Sequence, residues 1–317
     1  YKSAGTVNIT ATASEAVVAT NTITATLDTS DNVTLTAADN GTTLVGTYTV
    51  GAGDNSNDLT VSSFSIGTVT DIAGNAMSGT DVPDANIASG SAIVIDTTVP
   101  TITSFTSTTA DGSYKSAGTV NITATASEAV VATNTITATL DTSDNVTLTA
   151  ADNGTTLVGT YTVGAGDNSN DLTVSSFSIG TVTDIAGNAM SGTDVPDANI
   201  ASGSAIVIDT TVPTITSFTS TTSNGSYKSA GTVNITATAS EAVVATNTIT
   251  ATLDTSDNVT LTAADNGTTL VGTYTVGAGD NSNDLTVSSF SIGTVTDIAG
   301  NAMSGTDVPD ANIASGS

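Results

Sequence analysis

The chain is one 113-residue unit written nearly three times. Tyr1, Tyr114 and Tyr227 each open the string YKSAGTVNITATASEAVVATNTITATLDTSDNVTLTAADNG, and over the shared positions only Ala110-Asp111 changes, to Ser223-Asn224. A long fixed period means that the fold is solved once per unit and then repeated along the chain. A unit of this length is large enough to bury a core of its own. Near-identical serial copies multiply length, spacing or avidity, which an active site rarely needs.

Each unit reads as strand after strand. TVNITATA places Val7, Ile9, Ala11 and Ala13 on one face and Thr6, Asn8, Thr10 and Thr12 on the other. TITATL repeats the pattern with Ile23, Ala25 and Leu27, NVTLTA with Val33, Leu35 and Ala37, and TLVGTYTV with Leu44, Gly46, Tyr48 and Val50. Alternation of period two with Val, Ile and Thr predicts half-buried antiparallel strands. The alternation slips at Ser62-Ser63, where a bulge is expected. Asn40-Gly41, between two alternating runs, predicts a hairpin turn with positive φ. Asp111-Gly112 and its counterpart Asn224-Gly225 read the same way, and the swap loses the carboxylate, so Asp111 is not expected to bind metal.

Composition narrows the chemistry. There is no Cys and no His, which removes disulfides, thiol chemistry and the commonest general base and transition-metal ligand. Thirty acidic residues stand against three Lys, for a formal charge of −27. Nucleic acid and anionic membrane surfaces are therefore disfavoured partners, and no stretch is apolar enough to span a bilayer. The charge reads either as a solubility device or as one offset by hard divalent cations, which take carboxylate and carbonyl oxygens. Lys2, Lys115 and Lys228, one per unit, read as exposed loop-edge residues rather than as crosslinking groups.

The run AIVIDTTVPTITSF marks the joint between units. Ile93 and Ile95 end one strand, Asp96 to Pro100 form a short stiff connector, and Ile102 to Phe105 begin the next strand. Pro at the start of a strand bars continuous pairing across the joint. The expected units are residues 1–96, 97–209 and 210–317, the first without its opening strand and the last without its closing strand. About seven strands per unit, with a long loop over residues 71 to 91, predict an all-β fold. It is expected to be a series of immunoglobulin-like β-sandwiches arranged as a rod.

The joint and two further motifs resemble the bacterial immunoglobulin-like repeats of giant surface adhesins. These are Asp96-Thr97-Thr98-Val99-Pro100-Thr101 with its copy from Asp209, Ser-Glu-Ala at Glu15, Glu128 and Glu241, and Thr-Asp-Ile-Ala-Gly-Asn at Asp71, Asp184 and Asp297. The resemblance covers the whole chain. It implies export, often by a type I route, to an extracellular or cell-surface location. It further implies a rod-like extender often stiffened by calcium at domain junctions, with the adhesive target gripped by a domain outside this sequence.

The strand order itself brings carboxylates together at the joint. Glu128 follows the second strand of its unit, Asp184 ends the sixth, and Asp96 arrives on the connector, so all three are expected at one pole. Three carboxylates from separated segments suit a cation taking six to eight oxygens, with Asn188 and backbone carbonyls completing its surroundings. Asp209, Glu241, Asp297 and Asn301 repeat the set, and Glu15 with Asp71 are the first unit's counterparts. Each motif alone reads more often as a turn than as a ligand, and it is their convergence with the net charge that favours a cation. Asp28, Asp31 and the loop Gly53–Asp58 gather at the other pole, as a solvated turn or a second cation site, and Asp81 and Asp84 either join the junction or stay exposed.

No nucleophile–base pair or phosphate loop is present, so a catalyst is not expected. The expected function is that of a calcium-stiffened stalk whose partners are the neighbouring repeats. The alternative is the protomer of an extracellular filament, sheath or surface layer, with copies associating laterally. Binding of glycan or ice by outward Thr rows ranks behind both.

Overall fold

The computed structural model describes residues 1–90 and 92–313, and their regular secondary structure is nearly all strand. Helix among them is limited to Ile87–Gly90, a 3-10 turn at Ile200–Ser202 and 3-10 backbone at Ile313. Buried apolar side chains fall into three separate clusters, spanning residues 7–95, 102–208 and 215–303.

The central cluster is enclosed by nine strands. They are β1 (Ile102–Ser107), β2 (Gly112–Tyr114), β3 (Thr119–Ala126), β4 (Thr135–Leu140), β5 (Asn145–Ala150), β6 (Thr156–Thr162), β7 (Asn168–Ser169), β8 (Val174–Ile179) and β9 (Ile206–Asp209). The alternation does what its period predicts. In β3, Val120, Ile122, Ala124 and Ala126 are all buried while the polar residues between them are not. Burial of these faces supplies the main stabilisation, about 25 cal/mol per Å² of apolar surface removed from water.

Six strands form one antiparallel sheet in the order β8-β4-β5-β6-β3-β1, and β7-β9-β2 form a second. In the large sheet β5 pairs with β4 from Asn145 to Thr149 but with β6 only at Thr149 and Ala150. The sheet therefore turns a corner at β5 and folds over, so that its end strands β1 and β8, not paired to each other, meet through the Phe105–Phe177 contact in the core. Gly159 on β6 permits that corner, because a Cβ there would collide with the Thr147 carbonyl and the Leu148 side chain of β5. The result is a sandwich-like, partly barrel-like unit. In the smaller sheet β9 runs parallel to β2 and antiparallel to β7.

Three local features refine the sequence expectations. The bulge is present: in β8 the register shifts between Val174 and Ser176, and the Ser175 hydroxyl donates to Thr139 O and Leu140 O. The Asn-Gly pairs do not form tight turns with positive φ; Asn40 and Gly41 lie in a longer loop between strands Asn32–Ala37 and Thr43–Thr49. There Asn40 Oδ1 accepts from Ala19 N (2.7 Å) and Gly41 O from Val17 N (2.9 Å), so the loop is held by the neighbouring segment rather than by its own φ angles. The long loop before the last strand is also anchored. Asn199 donates to Val174 O and accepts from Val174 N, plugging the start of β8.

Among the described residues the flanking units repeat the strands of the large sheet, five in the first and six in the third. A cavity of about 580 Å³ in the third unit is lined by Tyr227, Tyr274, Val276, Asp280 and Leu285 among others. Their central counterparts Val163 and Leu172 are buried under β9, with Leu172 N donating to Ile206 O (2.7 Å). The cavity thus occupies the position that β9 takes in the central unit.

Candidate metal centre

The loop Asp184–Asn188 is built to hold one carboxylate. It closes on itself through Asp184 N to Asn188 O (3.1 Å), with Gly187 at φ +93°, a left-handed conformation that favours Gly. Asp184 Oδ1 accepts from Gly187 N (2.6 Å) and Asn188 N (2.8 Å), and Oδ2 accepts from Asn188 Nδ2 (2.7 Å). The side chain is 1% exposed. Burying a charge this deeply is tolerable only with such donors or a counter-ion.

Two other segments bring their carboxylates to it. An isolated bridge between Val130 and Asp184 places Glu128, two residues earlier, at the same pole. Asp96 arrives on the connector, its Oδ1 accepting from Thr98 N (3.0 Å) and its backbone carbonyl from Asn188 Nδ2 (2.9 Å). One carboxylate oxygen from each of Asp96, Glu128 and Asp184 lies within 4.8 Å of the others. Asp209, Glu241 and Asp297 repeat the group, with Asn301 Nδ2 donating to Asp209 O (2.8 Å) and Asp297 Oδ2 (2.7 Å).

Glu128 is the member without a partner. Its Oε1 is buried and accepts no hydrogen bond, and Glu241 Oε1 is in the same state. Burial, then the charges of Asp96 and Asp184, push the Glu128 carboxyl above its usual range; burial, Asp209 and Asp297 do the same to Glu241. An orphaned buried carboxylate oxygen facing two further carboxylates fits a hard cation, which would supply the missing positive charge. These two groups can hold a metal ion. Asn188 and Asn301 use their amide nitrogens as brackets between the loop and the connector.

The first unit is the natural comparison. Glu15 is exposed, and Asp71 is joined by Asn75 through its side chain (2.6 Å) and backbone (2.7 Å), contacts that lower its carboxyl below the usual range. No third carboxylate joins them among the described residues. Asp81 and Asp84 are exposed.

At the opposite pole Asp141 and Asp167 are satisfied by the protein's own donors, while Asp144 lies against Asp167, which with burial raises its carboxyl above the usual range. The Tyr161 hydroxyl donates to Asp167 Oδ2 (2.6 Å), Gly164 N donates to the same oxygen (2.6 Å), and Ser169 Oγ donates to Asp141 Oδ2 (2.6 Å). In the first unit, burial and the bond to Asp54 push the Tyr48 hydroxyl up to about 12. This favours the turn over a second cation site for the Gly53–Asp58 loop and its copies.

The lysines are the residues that sequence reasoning missed. Lys2 Nζ donates to Gly187 O (3.0 Å) and Lys115 Nζ to Gly300 O (2.7 Å), each reaching from one unit to the loop of the next. Their recurrence once per unit, at a fixed place beside the joint, was the available signal. No protein-family model matches the chain, and no curated protein matches it.

Proposed function

We propose that this chain is the extender region of a giant bacterial surface adhesin, a stalk whose joints are stiffened by calcium. The carrying observation is the buried, unpartnered Glu128 Oε1 facing Asp96 and Asp184, with the same arrangement at Glu241. Two of the three carboxylates belong to one unit and the third to the connector before it. A cation bound among them ties consecutive units together, whereas the empty group drives them apart by like-charge repulsion. Calcium suits the set better than magnesium, because it accepts more oxygens in a less regular geometry. The sheet strands of six to eight residues rise roughly 20–27 Å, so with its loops each unit adds about 40 Å of reach. Export to the cell surface, and a gripping domain elsewhere in the protein, belong to the same reading, supported by the resemblance of the three motifs.

The test is calorimetry and small-angle scattering of the whole chain in calcium and in chelator. The reading expects a higher melting temperature and a narrower distribution of extended shapes with calcium. Identical melting and scattering in both conditions would remove calcium from it.

A further inference from the structure

The chain spends two of its three cations at the joints, and both do the same thing. In the central unit the parallel register of β2 and β9 ends at Tyr114 beside Ile208, so the next residues, Lys115 and Asp209, leave side by side. The first unit matches: Tyr1 N donates to Val94 O (2.7 Å) and Asp96 N to Tyr1 O (2.9 Å), setting Lys2 beside Asp96. From this shared edge two contacts reach consecutive residues of the following loop. The Asp96 carbonyl takes Asn188 Nδ2 (2.9 Å) and Lys2 Nζ takes Gly187 O (3.0 Å). At the second joint the distances are 2.8 Å and 2.7 Å.

The two contacts resist different motions. Asp96 and Asp209 stand where the last strand gives way to the connector, and a single bond there would leave rotation about that bond free. The lysine reaches the loop through a long side chain from the neighbouring segment, just past Tyr114 in the central unit, so its bond adds a second point of attachment that opposes this rotation. The stem also lies over the glycine: a Cβ on Gly187 would sit 3.7 to 3.9 Å from Lys2 Cδ, Nζ and Cε, and one on Gly300 3.6 to 3.9 Å from the same atoms of Lys115. A charged donor on a carbonyl is among the stronger hydrogen bonds.

We propose that the single lysine of each unit is a latch that grips the Asp-Ile-Ala-Gly-Asn loop of the next unit and limits the twist between them when no cation is bound. The partner surface is thus a copy of the same unit, read by an adjacent Asp carbonyl and Lys ammonium. The latch stands on the inter-unit hydrogen bonds and not on calcium occupancy.

The chain has no Cys, so spin labels can be placed cleanly at Val45, Val158 and Val271, equivalent positions exposed by 48%, 47% and 46%. Labels at 45 and 158 report the first joint, and labels at 158 and 271 the second. In chelator, Lys115→Met should broaden the 158–271 distance distribution beyond that of chelated wild type while leaving the 45–158 distribution and the melting of each unit unchanged. Lys115→Arg, which keeps a cationic donor of similar reach, should restore the wild-type width. A 158–271 width equal to wild type in the chelated Lys115→Met protein overturns the latch. Failure of the calcium reading registers elsewhere, as a wild-type chain whose widths and melting ignore the chelator.

Discussion

Phe105 and Phe177 meet edge to face with ring centroids 5.5 Å apart, although they stand on the two outermost strands of one six-stranded sheet. Phe218 and Phe290 repeat the contact in the third unit with the same separation. The pair closes the sandwich, and Phe105 is fully buried. Phe105→Ala should cost about 3–5 kcal/mol. Hydrogen exchange should place the loss in the central unit's amides and leave those of the third unit protected.

Gly159 and Gly166 should respond differently to one added methyl group. At Gly159 the methyl meets the backbone of β5, which cannot swing aside, so Gly159→Ala should cost about 1–3 kcal/mol by overpacking. Gly166 has φ +97° and open space around it, leaving only backbone strain of about 1–2 kcal/mol. Urea denaturation of the two variants should rank them in that order.

Glu128→Gln should change sign with the cation. In chelator it removes a buried charge that two aspartates repel, and the melting temperature should rise. In calcium it removes a ligand, so the melting temperature should fall and calcium should bind more weakly. Scans of the variant in both buffers check this, and a variant less stable than wild type in both would count against it.

Acid should act in the same two directions. Glu128 and Glu241 have folded pKa values above their ordinary 4.5, so the folded chain binds more protons than the unfolded one across that interval. Their contribution to cation-free stability therefore grows as pH falls from the raised value towards 4.5, and levels off below it. With calcium present the protons compete with the metal, so stability should drop over the same window. Melting temperature against pH, with and without chelator, separates the two curves.

Tyr161→Phe removes the hydroxyl that Asp167 accepts from at a site where the tyrosine is 2% exposed. Gly164 N still serves that carboxylate, so the loss should be about 1–2 kcal/mol rather than that of an unsatisfied charge. Calorimetry should show the central unit melting several degrees earlier.

The strands were legible because Val120, Ile122 and Ala124 alternate with polar residues, and a period of two leaves little choice. The meeting of Asp96, Glu128 and Asp184 was legible for a related reason, since antiparallel hairpins return successive strand ends to one pole. What escaped depended on contacts without a local period. Gly112–Tyr114 is too short to alternate, so its parallel pairing with β9 left no trace. Asn40-Gly41 carries a strong local turn signal, but Ala19 and Val17 decide how that loop is held. Lys115 looked like a solitary exposed cation because its partner, Gly300, lies in the following unit.

The parallel pairing of β2 with β9 bears on how such a chain would carry tension. Strands β2 and β9 lie near opposite termini of the unit and run in the same direction. Pulling the two termini apart loads β1 first; once β1 is detached, it slides β2 lengthwise past β9 and strains all the rungs between them at once, instead of peeling them singly. A tether assembled from these units would then yield abruptly, one module at a time, rather than stretch by gradual fraying.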